Sequence, residues 1–119
     1  MPGRNGRPGR NGRITRETRN IEKLLKQHFP DHPKDYPPIA YRYNPVSIRV
    51  RLVHKSFDGK SLGDRDQMVL PIIETLPEKT QADLMLMLLL SPSEARRRVG
   101  YQEFEMQGHP RRVGRSTSN

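Results

Sequence analysis

Seven consecutive apolar residues, Leu84-Met85-Leu86-Met87-Leu88-Leu89-Leu90, stand between Asp83 and Ser91-Pro92 in a chain that is only 32% hydrophobic. A run of this length ended by a pre-proline residue fits a short strand buried on both faces better than a helix, which needs about 10–12 residues. It is far short of the ~20 apolar residues that cross a bilayer, so no membrane segment is expected. A strand of this kind must be covered by the elements around it, and that requirement organises the rest of the sequence.

The helix is found upstream. Ile21, Leu24, Leu25 and His28 or Phe29 fall at the i, i+3, i+4, i+7 spacing of one helical face, with Arg19, Glu22, Lys23 and Lys26 elsewhere. Pro30 ends it. Asp31 to Pro38 carries three prolines and is expected to run extended and unpaired. Ile39 to Tyr43 reads as a strand, Asn44-Pro45 as a turn, and Ile48, Val50 and Leu52 then alternate with Arg49, Arg51 and Val53 as in a half-buried strand. That strand is expected to run to a tight Asp58-Gly59 turn. Asp64 is the expected cap of a second helix carrying Met68, Val69, Ile72, Ile73 and Leu76 inward, with Pro71 kinking it or marking a non-helical start. Pro77 to Thr80 reads as a break before the apolar run.

The fold class is therefore α+β with the order α-β-β-α-β: two helices on a three-stranded mixed sheet, the first two strands a hairpin and the third brought in parallel by a helical crossover. Alternation would place Leu84, Leu86, Leu88 and Leu90 on one face of the last strand and Met85, Met87 and Leu89 on the other. A two-layer fold covers one of these faces only. Val99, Tyr101, Phe104 and Met106 are the nearest apolar residues beyond it, so residues 99–106 are expected to fold back on the open face or pair along an edge.

The 119 residues carry a net charge of +9, placed unevenly. Residues 1–13, 14–95 and 96–119 contribute +4, +1 and +4. The first arm is a tandem repeat of Pro-Gly-Arg-Asn-Gly-Arg over residues 2–13, a composition that disfavours helix and strand and displays Arg4, Arg7, Arg10 and Arg13 on flexible chain. The expected organisation is a disordered arm over 1–14, a domain over 15–95 and a basic arm over 96–119. The arms suit phosphate contact, with a solubilising tail as the alternative. Arg49, Arg51 and Lys55 on one strand, with Lys60 and Arg65 beside the turn, add a basic surface to them; a solvated sheet face explains the same residues equally well.

Enzymatic chemistry finds little footing. There is no cysteine to serve as nucleophile, disulfide partner or thiolate ligand. Gly59-Lys60-Ser61 lacks the upstream glycine of a phosphate-binding loop, and Ser61 has no evident His and Asp partners. Asp64 and Asp66 are explained by a helix's first turn. His28, His32, His54 and His109 have no metal-ligand spacing. No enzyme activity, metal or cofactor is expected.

Phe57-Asp58-Gly59-Lys60-Ser61-Leu62-Gly63-Asp64-Arg65-Asp66-Gln67-Met68-Val69 resembles the BolA family's stretch F-x-G-K-S-L-x-x-R-H-R-x-V, and Ser91-Pro92-Ser93-Glu94 is similar to its T-P-E-E. The resemblance runs from about Ile21 to Glu94. It implies a fold related to the type II KH domain, and two activities: holding an iron-sulfur cluster jointly with a monothiol glutaredoxin, or binding DNA as a regulator. The family's cluster-binding members use a histidine at the start of the last strand and a His or Cys in the loop between the first two. Here those places fall at Asp83 and in Tyr43 to Val46, and the helix-start R-H-R reads Arg65-Asp66-Gln67. Carboxylate oxygen is a poor ligand for such a centre, so the shared cluster is not expected. The expected function is a cytoplasmic, BolA-like binding protein that contacts DNA, RNA or a ribonucleoprotein without strong sequence preference. The alternative is an adaptor that docks a monothiol glutaredoxin or another protein.

Overall fold

The structure, a computed structural model, describes residues 13–100. Helix α1 (Arg16–His28) opens on a capping box, Thr15 accepting from the Thr18 amide while the Thr18 hydroxyl oxygen accepts from the Thr15 amide. Strand β1 (Ile39–Asn44) turns into β2 (Ser47–Val53) at Pro45-Val46, where the Asn44 side chain accepts from the Val46 amide at 2.9 Å. Helix α2 (Leu62–Ile73), a short α3 (Glu78–Asp83), strand β3 (Leu84–Leu90) and a short α4 (Pro92–Arg96) complete the order. The sheet runs β1-β2-β3, with β1 and β2 antiparallel and β2 and β3 parallel. The α+β class and the α-β-β-α-β order read from the sequence are the observed ones.

One face of the sheet is packed under the helices. Ile21 and Leu25 from α1, Phe29 at its C-terminal cap, and Val69 and Ile73 from α2 close over Ala40, Ile48, Val50, Leu52 and Leu89, with Phe57 fully buried among them. The other face holds a smaller cluster, Val53, Leu90 and Ala95 with Tyr36 and Leu88 against it.

Several expectations are corrected. The second strand ends at Val53 rather than at Phe57: His54 caps a single 3-10 turn (Lys55–Phe57), and Gly59, at φ +75°, then sits in the left-handed position of a type II turn from Phe57 to Lys60. Ser61, not Asp64, caps α2, because its hydroxyl accepts from the Asp64 amide three residues on. Helix α2 runs through Pro71 to Ile73. Pro71 and Gln67 are both exposed, so the carbonyl deprived of its donor is on the wet flank of the helix. Pro77 to Thr80 is not a break but leads into α3, Pro77 being a fixed-φ start.

The 31–38 linker is not extended and free: Tyr36 donates to the Pro33 carbonyl, Pro38 is buried, and Tyr36 packs on the second cluster. Finally, the β2–β3 register slips by one residue between Ile48/Leu84 and Arg49/Leu86. This bulge throws Met85 into solvent at 64% exposure and puts Leu84 with Met87 and Leu89 on the helix side, so strict alternation along the strand fails at its first two residues.

Candidate nucleic-acid interface

The basic residues anticipated on the domain separate into buried and exposed ones. Arg49 and Arg51 are only 6% and 7% exposed. They share the Val53 face of β2, where the Arg49 guanidinium lies 3.9 Å from the Tyr43 ring centroid and the Arg51 guanidinium donates to the Pro37 carbonyl at 3.1 Å. Their reading as a solvent-facing basic surface is corrected. The alternation along the strand holds, but the 31–38 linker folds under the sheet at Arg51, where the Pro37 carbonyl accepts from the guanidinium and the Tyr36 ring lies beside it.

Arg65, 4% exposed, is also withdrawn from any external partner. Its Nε donates to the Lys60 carbonyl, its Nη1 to the Leu89 carbonyl and its two terminal nitrogens to the Glu94 carboxylate. The arginine therefore stitches the turn before α2, the end of β3 and the head of α4. The two segments that carry the BolA-like resemblance meet at this bond, since Phe57–Val69 contains Arg65 and Ser91–Glu94 contains its partner.

Lys55 and Lys60 are exposed, Lys55 standing 3.9 Å from Asp31 in a solvent-facing pair. Arg13 is exposed as well, and its backbone exchanges two hydrogen bonds with Arg42 on the free edge of β1, at 3.0 and 2.8 Å. Arg4, Arg7 and Arg10 lie outside the described residues.

What the sequence reading did not assemble is a basic stripe on α1. Arg16, Arg19, Lys23 and Lys26 are all exposed. At 3.6 residues per turn they occupy about 80° of the helix circumference, opposite the buried Thr18, Ile21 and Leu25, along about 15 Å of axis. The acids of the same helix are turned aside. Glu22 accepts from the Ala40 amide of β1 at 2.8 Å, and Glu17 lies 3.8 Å from the Arg42 guanidinium. Hydrogen bonds from its own backbone and from Thr15 hold the Glu17 carboxyl below its ordinary range. In the sequence Arg19, Glu22, Lys23 and Lys26 read only as non-core positions of a helix; the signal that finds the stripe is the i, i+3, i+7, i+10 spacing of Arg16, Arg19, Lys23 and Lys26, with Glu17 and Glu22 outside it.

Among the described residues no three His, Asp or Glu side chains are grouped closely enough to hold a metal ion. Asp83 is held by Arg42 Nη1 at 3.1 Å and approached by Lys79 at 3.7 Å. His54 is buried against Phe29 and Phe57, its Nδ1 accepting from the Ser56 amide and its Nε2 without a hydrogen-bond partner among the described residues. Burial pushes its pKa down. His28 is exposed and His32 half-buried at the linker; His109 lies outside the described residues. The Ser61 hydroxyl is engaged as a helix cap. No helix among the described residues is long and apolar enough to cross a membrane.

No family model, no curated protein and no solved structure matches the chain.

Proposed function

We propose that this protein is a BolA-like, non-enzymatic binding protein that contacts the phosphate backbone of RNA or DNA through its N-terminal arm and the outer face of α1. The observation that carries the reading is the placement of the two basic elements. Arg13, the last arginine of the arm, is pinned on the β1 edge three residues ahead of Arg16, where the α1 stripe begins. Four arm arginines thus lead directly into four helix bases, and the intervening acids face the sheet. A phosphate backbone is a line of charge, and a line of cations engages it through contacts that do not depend on the base sequence.

The test is fluorescence anisotropy of a labelled single-stranded and a labelled double-stranded oligonucleotide against salt. Binding whose log K falls linearly with log salt, and whose slope becomes shallower when residues 1–13 are removed, supports the reading. No binding at low salt sinks it. Retention of a monothiol glutaredoxin that is indifferent to salt supports the adaptor alternative instead.

A further inference from the structure

The sheet order β1-β2-β3 leaves two outer strands, and their outer edges are treated differently. On β1 the Ala40 amide donates to Glu22, and Arg42 exchanges both of its backbone hydrogen bonds with Arg13. On β3 the corresponding groups are left open. In a parallel ladder alternate residues of a strand turn their N–H and C=O to the same neighbour. The Leu90 carbonyl accepts from the His54 amide just past the end of β2, so Leu86, Leu88 and Leu90 face β2, and Met87 and Leu89 turn their backbone groups outward. Arg65 takes the Leu89 carbonyl at 2.9 Å. Among the described residues nothing takes the Leu89 amide or the amide and carbonyl of Met87.

The side chains do not guard this edge either. Sheet proteins that stay monomeric blunt an open edge with lysine, proline, an inward charge, a bulge or a covering loop. Leu84–Leu90 has no charge and no proline, and its bulge lies at the first two residues, leaving Leu86 to Leu90 in regular register. Met85, at the bulge, is 64% exposed. Of the segment 99–106, expected to fold back on the open face or pair along an edge, Val99 and Gly100 are described, Gly100 against Leu88; the rest lies outside the described residues.

An edge of this kind takes a strand that offers the same groups in reverse order. Turned about a two-fold axis at Met87, β3 offers them to itself: each Met87 amide meets the other's carbonyl, and each Leu89 amide meets the carbonyl of Met85 in the second copy. Donors meet acceptors, no like charges are opposed, and the axis consumes both open edges, so the assembly closes at two. We propose that β3 is a dimer edge, the second copy adding its own β3 antiparallel and joining the two three-stranded sheets into one. Arg13 and Glu22 of α1 engage the opposite edge, at β1, so the pairing leaves the basic stripe exposed and doubles it.

Sedimentation equilibrium of the full chain tests this, with a mass that rises with concentration to twice 13.8 kDa expected. Met85→Lys sets an exposed charge on each side of the axis and should return the monomer with the melting temperature of the dilute protein unchanged. In a sample mixing isotope-labelled and unlabelled protein, an Hα–Hα Overhauser contact between Leu86 of one copy and Leu88 of the other is the signature of this register, since these form its closely spaced pairs. A monomer at every concentration overturns the proposal. So does a dimer that Met85→Lys leaves intact, or one without the Leu86–Leu88 contact, because its interface lies elsewhere. A Met87 amide protected from exchange in dilute monomer also overturns it, the edge then being filled from within the chain.

Discussion

The two carboxylate oxygens of Glu94 accept from the Arg65 guanidinium at 2.6 and 3.2 Å, joining the first turn of α4 to the first turn of α2 across 29 residues of chain. Glu94 also accepts from the Ser91 amide and so completes the capping box of its own helix. One side chain thereby serves a local cap and a long-range clamp. The strand between the two helices, β3, is held at its end because Arg65 takes the Leu89 carbonyl as well.

Glu94→Gln keeps the shape and removes the charge. Because hydrogen bonds to a charged group contribute about 1.5–3 kcal/mol, the variant is expected to unfold in urea with stability lower by about that amount. Replacing Arg65 and Glu94 together with methionine should cost less than the sum of the two single replacements, since each single change strands a mostly buried partner. Additive losses would show that the two residues act separately.

Stability is expected to fall in two acid steps. The His54 pKa is depressed from 6.5 by burial, so the unfolded chain takes up the proton first and stability declines as pH drops below 6.5. The Glu94 carboxyl is held below 4.5 by its hydrogen bond from Arg65, so its contribution is present above 4.5 and is lost as pH falls through the lower folded value. Urea midpoints measured across pH 3 to 8 check both, with about that range chosen to span the ordinary His and Glu values. His54→Gln should remove the upper step, and Glu94→Gln should shrink the lower one, to which Glu17 also contributes.

Exposed and buried bases should separate cleanly in binding. Lys23→Ala and Lys26→Ala each remove one solvent-facing cation and should make the slope of log K against log salt shallower by about 0.7–0.9, with melting temperature little changed. Arg49→Ala should do the reverse, lowering the melting temperature and leaving the slope alone, because that side chain is interior. A slope that responds to Arg49 but not to Lys23 and Lys26 would move the interface off α1.

Asp83 should not serve a metal centre, being already bound to Arg42. Mixing the protein with a cluster-loaded monothiol glutaredoxin is expected to leave the visible spectrum unchanged, with Asp83→Ala behaving alike. A new absorption band that disappears on substituting His28, His32 or His54 would show a non-standard ligand.

Much of the secondary structure was legible locally. Leu84–Leu90 is a strand with the bounds its flanking Asp83 and Ser91-Pro92 suggested, and Ile21 and Leu25, continued by Phe29 at the cap, form the inner face of α1 as their spacing required. Periodicity and proline are properties of a few neighbouring residues, so they can be read without the fold. The bulge at Met85 and the cap at Ser61 were not: the first depends on how β3 meets β2, and the second on a hydroxyl competing with a carboxylate three positions away.

The candidate site divides along the same line. Sequence alone determined how much positive charge there is, that it is concentrated in the arms, and that Arg49 and Arg51 share a strand face. Which of those charges meet water was decided by tertiary packing. The linker closes under β2, Glu94 draws Arg65 inside, and Glu17 and Glu22 turn to the β1 edge so that the bases of α1 stand alone on its outer face. Charge is carried by the residue, but exposure belongs to whatever the rest of the chain lays over it, and those partners are tens of residues away.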